Sequence, residues 1–200
     1  MTDPPEALDR FPVWHVHAGT TFHRVTHGEH GPWWFASDGG GRFDLVSPRG
    51  TCYLADDPVL AVLEVFGDLW PGVVSAELLS MRRLWTLALP SQCDAADTTL
   101  RAARGFGVTA ELATVTPYEL PQRWAAALAA AGFDGIRYRA RHDPGGGRAL
   151  ALFGAAGERT RWRRGRSSPI VGPLLERLRR EAGVVVAPIP DASDLGSVLD

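Results

Sequence analysis

Residues 39–67 read GGGRFDLVSPRGTCYLADDPVLAVLEVFG, and this stretch leaves the chain few ways to fold. The β-branched and aromatic run Thr51 to Leu54 predicts a strand. Asp56-Asp57-Pro58 then predicts the start of a helix, with a capping carboxylate and a proline in the first turn. At about 100° per residue, Val59, Val62, Leu63 and Phe66 share one apolar face. Asp57, Ala61, Glu64 and Asp68 fall on the opposite stripe, flanked by Leu60 and Val65. Glu64 is the one charge between Pro58 and Phe66, so its stripe meets either bulk water or a cleft.

The unit carries three candidate functional residues, and each has two readings. Glu64 is either a solvated carboxylate or a group lining a cleft. Arg42 is either a surface arginine beside a turn or a ligand-binding cation. Tyr53 is either a core residue whose hydroxyl is tied to the backbone or a wall of a pocket. The three glycines before Arg42 permit positive φ values or close approach of the backbone to a ligand, and they also suit a plain loop.

Elsewhere the pattern is coarser. Residues 1–12 form a lead-in. His15, His17 and His23 stand at odd spacing and would share a face if the segment stayed extended. No carboxylate or cysteine cluster accompanies them, so no metal site is expected. Residues 73–90 predict strand, short turn and strand around Met81-Arg82-Arg83, and residues 98–108 a polar helix or loop. Residues 121–131, opened by Pro121 and closed by Gly132, carry a helix signature. Strands are expected at 135–139 and 149–153, flanking the loop RARHDPGGGR. Residues 159–166, RTRWRRGR, form a basic cluster of the kind found in solvated linkers or on surfaces that meet acidic partners. A helix is expected over 169–182, with Leu174, Leu175 and Leu178 on one face, and the acidic, turn-rich tail from Pro188 has the composition of a partly disordered segment.

Composition sets outer bounds. Two hundred residues, 45% hydrophobic, suffice for one sizeable core. The net charge of −2 argues against a generic polyanion-binding surface, and no direct contact with nucleic acid is expected. Every basic residue apart from histidine is arginine, which excludes a lysine nucleophile or Schiff base. Cys52 and Cys93 offer neither a disulfide framework nor metal-ligand spacing. No stretch reaches the roughly 20 apolar residues of a membrane span, and MTDPPEALDR lacks the basic-then-apolar order of a signal peptide. A cytoplasmic protein is expected. The seven tryptophans read as packing residues, with Trp33-Trp34 placed to line a pocket mouth.

From about Phe22 to Phe153 the chain resembles the RES-domain family, named for an arginine, a glutamate and a serine. Arg42 in GGGRFD and Glu64 in AVLEVFG match the first two. Tyr53 matches the family tyrosine, FHRVTH offers Arg24 as the early arginine, and residues 116–144 followed by ALALF resemble the second half. Where the serine is expected, the chain has Ala140, in Arg139-Ala140-Arg141-His142-Asp143-Pro144. Alanine has no hydroxyl to donate or accept a hydrogen bond. Ser37, Ser47 and His142 are the nearby groups that could stand in its space.

The resemblance implies an α+β fold: a single domain similar to the ADP-ribosyltransferases, with mixed or antiparallel sheets and flanking helices. It would comprise a lead-in (1–12), a RES-like domain (13–158) and a C-terminal basic segment, helix and tail (159–200). It also implies a toxin-like enzyme that breaks the nicotinamide–ribose bond of NAD⁺, by phosphorolysis or hydrolysis. NAD⁺ would then be substrate, with phosphate a potential co-substrate and no cofactor required. In that picture Glu64 stabilises the ribosyl cation, Arg24 and Arg42 hold the pyrophosphate, and Tyr53 stacks on nicotinamide or ribose. An Xre-type antitoxin is the implied partner, and a homo-oligomer is compatible. Two alternatives stand beside this one: an ADP-ribosyltransferase with a protein or small-molecule acceptor, and a degenerate member that binds nucleotide or partner without catalysis because of Ala140.

Overall fold

The computed structural model describes residues 1–27, 30–69 and 73–187. Its centre is a mixed eight-stranded sheet. In chain order the strands are β1 (Val13–Val16), β2 (Thr21–His27), β3 (Trp34–Phe35), β4 (Arg49–Ala55), β5 (Val73–Ser75), β6 (Arg82–Ala88), β7 (Cys93–Asp97), β8 (Gly135–Arg139), β9 (Arg148–Ala155), β10 (Gly157–Glu158), β11 (Arg166–Pro169) and β12 (Val185–Ala187). The helices are α1 (Pro58–Phe66), α2 (Ala76–Ser80), α3 (Glu119–Ala130) and α4 (Pro173–Ala182). The large sheet runs β1-β7-β8-β9-β4-β2-β6-β11, and β3/β10 and β5/β12 form two small ones. Within the large sheet β7 and β8 are parallel. A parallel pair needs a crossover, and residues 98–134, including α3, supply it.

The pleat sorts the side chains. On one face Ile136, Ala151 and Phe153 pack under α3 with Leu8, Phe11 and Phe43. Beside them on that face, Val25, Ala55 and Leu84 pack under α1 and α4. The cleft described below opens where these two clusters meet. On the other face Phe22, Cys52, Leu54, Leu87, Leu150 and Leu152 are covered by Trp33, Phe35 and Trp162.

The predicted strands at 51–54, 135–139 and 149–153 are present, the outer two within longer elements. α3 begins two residues before the expected Pro121. Three elements depart from the pattern. The first strand expected from residue 73 stops at Ser75 and a short helix, α2, stands before the turn expected around Met81-Arg82-Arg83, because the Ser75 hydroxyl accepts the Leu78 N–H at 3.1 Å. CDAAD, polar in sequence, is strand β7, because Ala95 and Ala96 are both fully buried. Pro169, expected to open a helix, instead closes an edge strand over residues 166–169 that pairs with β6, and α4 begins at Pro173.

The C-terminal segment completes the core rather than trailing from it. The Trp162 ring meets Trp33 edge-on at 5.1 Å. Arg177 of α4 bonds the free oxygen of the α1 cap, Asp57 Oδ2, at 3.1 Å. The acidic tail from Pro188 lies outside the described residues. Among the described residues no helix is long and apolar enough to cross a membrane.

Candidate active site

α1 starts as its sequence dictates, with Asp57 Oδ1 accepting the N–H groups of Val59 at 2.7 Å and Leu60 at 3.3 Å. Two turns on, Glu64 points into a cleft of about 320 Å³. Ala61, on the same stripe, is buried and lines the cleft as well, so the middle of the stripe meets the cleft, while Asp68 at its end reaches solvent. Glu64 Oε1 accepts the His142 N–H at 3.2 Å. Burial pushes the Glu64 carboxyl above its ordinary value, opposed by that N–H, by His142 and by Arg42. The result is a half-desolvated carboxylate held by one backbone donor.

In the same cleft, Arg42 stands over the Tyr118 ring at 4.6 Å and donates from Nη1 to the Val115 carbonyl at 2.6 Å. Burial draws its pKa down, yet a guanidinium is so basic that it keeps its charge at neutral pH. The turn carrying it is fixed from beneath. The Tyr53 hydroxyl donates to Asp44 Oδ1 at 2.8 Å and accepts the Phe43 N–H at 2.8 Å. Asp44 Oδ2 in turn accepts the Gly41 N–H at 2.9 Å. A Cβ on Gly41 would overlap both Asp44 Oδ1 and the Tyr53 hydroxyl, so only glycine fits there. Gln122 of α3 donates to the Gly39 and Gly41 carbonyls, both at 3.0 Å. Tyr53 thus satisfies both of its readings: the residue borders the cleft, while its hydroxyl is tied to backbone and carboxylate. Burial, followed by Asp44, pushes that phenol well above its ordinary pKa, so it stays neutral.

The structure does not bring Arg24 to the same point. Arg24 borders the cleft, but it belongs to the opposite face of the sheet. Its Nη1 donates to the Pro32 carbonyl at 2.9 Å, the Trp34 carbonyl at 2.8 Å and Cys52 Sγ at 2.8 Å. Strand alternation is the cause: His23 and Val25 face the cleft side, and Arg24 between them cannot.

Ala140 is also absent from the cleft. It is 6% exposed and packs with the α1 side of the core, while its N–H donates to the Gly147 carbonyl at 2.9 Å. Among the described residues no serine lines the cleft, Ser37 and Ser47 included. His142 does, with its ring laid against Gly67, where a Cβ would overlap it. Its Nε2 lies 3.7 Å from Asp68 Oδ1, and Arg141 Nη2 reaches the same oxygen at 3.4 Å.

Sequence reasoning missed Tyr118, Tyr138 and Arg141, which complete the cleft wall. The strand alternation of GIRYR was the available signal for Tyr138, whose ring packs 4.9 Å from Phe43. The histidines are parted by the reversal at Gly19. His15 pairs with Asp94 at 2.7 Å on exposed β1, whereas His23 reaches the cleft from β2. Trp33 is buried and Trp34 stacks on His30 at 4.0 Å, and neither lines the cleft. Among the described residues no group of three or more histidine, cysteine or acidic side chains could hold a metal ion.

Comparison with known proteins bears on the fold and the family. No curated protein matches the chain in sequence. A chain of the crystal structure of the M. tuberculosis MbcT–MbcA toxin–antitoxin complex has the same fold, with a TM-score of 0.63 and 20% identity over 83% of this chain and 92% of that one. The family model described as the RES domain matches residues 12–170, a span that takes in the whole large sheet, the cleft and the edge strand after the basic segment. With Arg42, Tyr53 and Glu64 gathered at one cleft inside that span, the chain belongs to the RES domain family.

Proposed function

We propose that the chain is a toxin-like enzyme that cleaves the nicotinamide–ribose bond of NAD⁺. The observation that carries this reading is the Glu64 carboxylate, desolvated in a cleft that also holds the Arg42 guanidinium. Cleavage sends the electron pair of the N-glycosidic bond to the nicotinamide nitrogen, which leaves as a neutral pyridine. The ribosyl C1′ becomes cationic, and a fixed carboxylate in a low-dielectric cleft stabilises that charge far more than water does. An oxygen of water or phosphate then bonds to C1′; water gives ADP-ribose and a proton, phosphate gives the ribosyl phosphate ester. Arg42 suits the pyrophosphate, and the Tyr118 and Tyr138 rings suit the flat nicotinamide.

The MbcT–MbcA structure is that of a toxin–antitoxin complex, and by analogy we propose that a companion protein, of the Xre type, restrains this chain in the cell. An unrestrained enzyme that drains NAD⁺ would harm its host.

Purified protein incubated with NAD⁺, with and without phosphate, tests the reading through nicotinamide release. Release that Glu64→Gln abolishes supports it, and phosphate dependence names the acceptor. Labelled ADP-ribose appearing on a macromolecule would move the assignment to transfer. A second reading, a nucleotide binder without turnover, is favoured by the lack of any serine among the residues lining the cleft. Silence from wild type with release by Ala140→Ser would establish it; silence from both would overturn cleavage as the function of this fold.

A further inference from the structure

Beside the cleft lies a second groove of about 490 Å³, between the short helical turns of residues 101–113 and the loop after β8. Four arginines line it: Arg101, Arg104, Arg139 and Arg141. The one carboxylate among its lining residues, Asp143, is already engaged, with Oδ1 accepting the Gly145 N–H and Oδ2 the Gly147 N–H, both at 2.8 Å. Among the described residues Arg101, Arg104 and Arg139 make no ion pair. A chain of net charge −2 therefore gathers a strong local excess of positive charge in one concave place. Such an excess, in a concavity with low-dielectric walls, focuses an anionic ligand.

Arg141 lines both the groove and the cleft, so the two cavities adjoin at its side chain. The cleft alone, at about 320 Å³, lies at the low end of volumes that enclose one small ligand. A dinucleotide has two nucleoside ends joined by a pyrophosphate and needs more room than that. We propose that the groove is a phosphate-binding extension of the cleft, which takes the ADP half of the dinucleotide while the nicotinamide end sits at Glu64. Arg141, at the junction, and Arg101, Arg104 and Arg139 along the groove hold the pyrophosphate, whose two phosphates carry the ligand's negative charge, and the uncharged adenosine follows into the groove. This inference rests on the cleavage reading only for the identity of the ligand, because binding of ADP-ribose reports on the groove without turnover.

The test is the double variant Arg101→Ala/Arg104→Ala, both sites being exposed and outside the core. The KM for NAD⁺ should rise at least about tenfold with kcat changed by less than about twofold, as loss of charge-assisted contacts to substrate alone requires. The dissociation constant of ADP-ribose, measured by calorimetry, should rise by the same factor. Nicotinamide mononucleotide, which lacks the ADP half, serves as reference, and its KM should not follow. Unchanged NAD⁺ and ADP-ribose affinities in the double variant would overturn the groove and leave cleavage standing. An absence of turnover on either nucleotide, with ADP-ribose binding that the double variant weakens, would overturn cleavage and uphold the groove. Wild type that binds no ADP-ribose would overturn the groove outright.

Discussion

The two walls of the cleft are built on opposite principles. On the wall made by the glycine turn, β4 and α1, every functional group has a fixed partner: the Asp57 cap, the Tyr53 hydroxyl on Asp44, the Arg42 guanidinium on the Val115 carbonyl. On the wall made by residues 139–147, Asp143 ties the loop backbone, and the two arginines reach outward. Arg139 and Arg141 are exposed, and Ala140 has its methyl in the core. The difference teaches where charge can be preorganised and where chemistry can change. The first wall holds its charges at no cost during reaction, which is what electrostatic stabilisation requires. The second contributes one backbone N–H, from His142 to Glu64, and carries an alanine where the resemblance expects the serine.

If that contrast holds, the largest effect comes from the first wall. Glu64→Gln keeps the shape and removes the charge, and nicotinamide release should fall at least a hundredfold, about 2.7 kcal/mol of barrier. A wild-type rate would return Glu64 to a solvated-face role and dissolve the contrast. Arg42→Ala should cost about tenfold or more in kcat/KM, with KM raised, since it loses both a phosphate-binding cation and its seat on Tyr118. An effect confined to thermal stability would make Arg42 a strut of the turn.

The join between the walls is probed by Gly67→Ala. The backbone there is ordinary right-handed helix, so strain is not at issue. The added methyl would instead push the His142 ring and loosen the N–H held by Glu64. Activity should fall roughly tenfold, the worth of one charge-assisted bond, while the melting temperature changes little. Ala140→Ser then tests the second wall alone. A hydroxyl placed at a site 6% exposed, among apolar groups, should cost about 1 kcal/mol of stability, read as a shift in denaturant midpoint. Its rate should stay within about threefold of wild type, the scale of a change that touches no charge in the cleft. A large gain in rate would show that the second wall was disabled and not merely permissive.

The first wall was legible in the sequence and the second was not, for physical reasons. Local rules govern the former: a cap, a proline, a glycine turn and a 3.6-residue period fix α1 and the direction of Glu64 without reference to the rest of the chain. Arg24 shows the limit of matching a motif without its strand phase. The residue stands where the resemblance puts it, but the pleat sends its guanidinium to Cys52 and the far face. CDAAD became a strand because neighbours on both sides bury its alanines, which no local signal announces. Arg101, Arg104, Arg139 and Arg141, far apart in sequence, meet in one groove only through the β7-to-β8 crossover and the loop that follows β8.

The smallest effect separates function from stability at the same atom. Folding raises the Glu64 pKa, chiefly by burial, so the native state disfavours the charged form. A group shifted upward contributes stability that is fully present below its unfolded pKa and is lost as pH rises through its folded one. At neutral pH, wild type therefore carries a desolvated carboxylate that Glu64→Gln removes, and the variant should melt at a higher temperature. That advantage should shrink and vanish as pH falls below the ordinary carboxylate range, where wild type is neutral at this position in both states. Wild-type activity should run the other way, declining with acid from a higher pH than an unperturbed glutamate would set, because the protonated carboxyl cannot stabilise a ribosyl cation. Melting curves of the two proteins across that range, set beside the wild-type rate profile, check the sign of both. A variant that melts lower at neutral pH would mean that the Glu64 charge stabilises the fold through His142 and Arg42, and that the first wall is held together by its charges, not merely loaded with them.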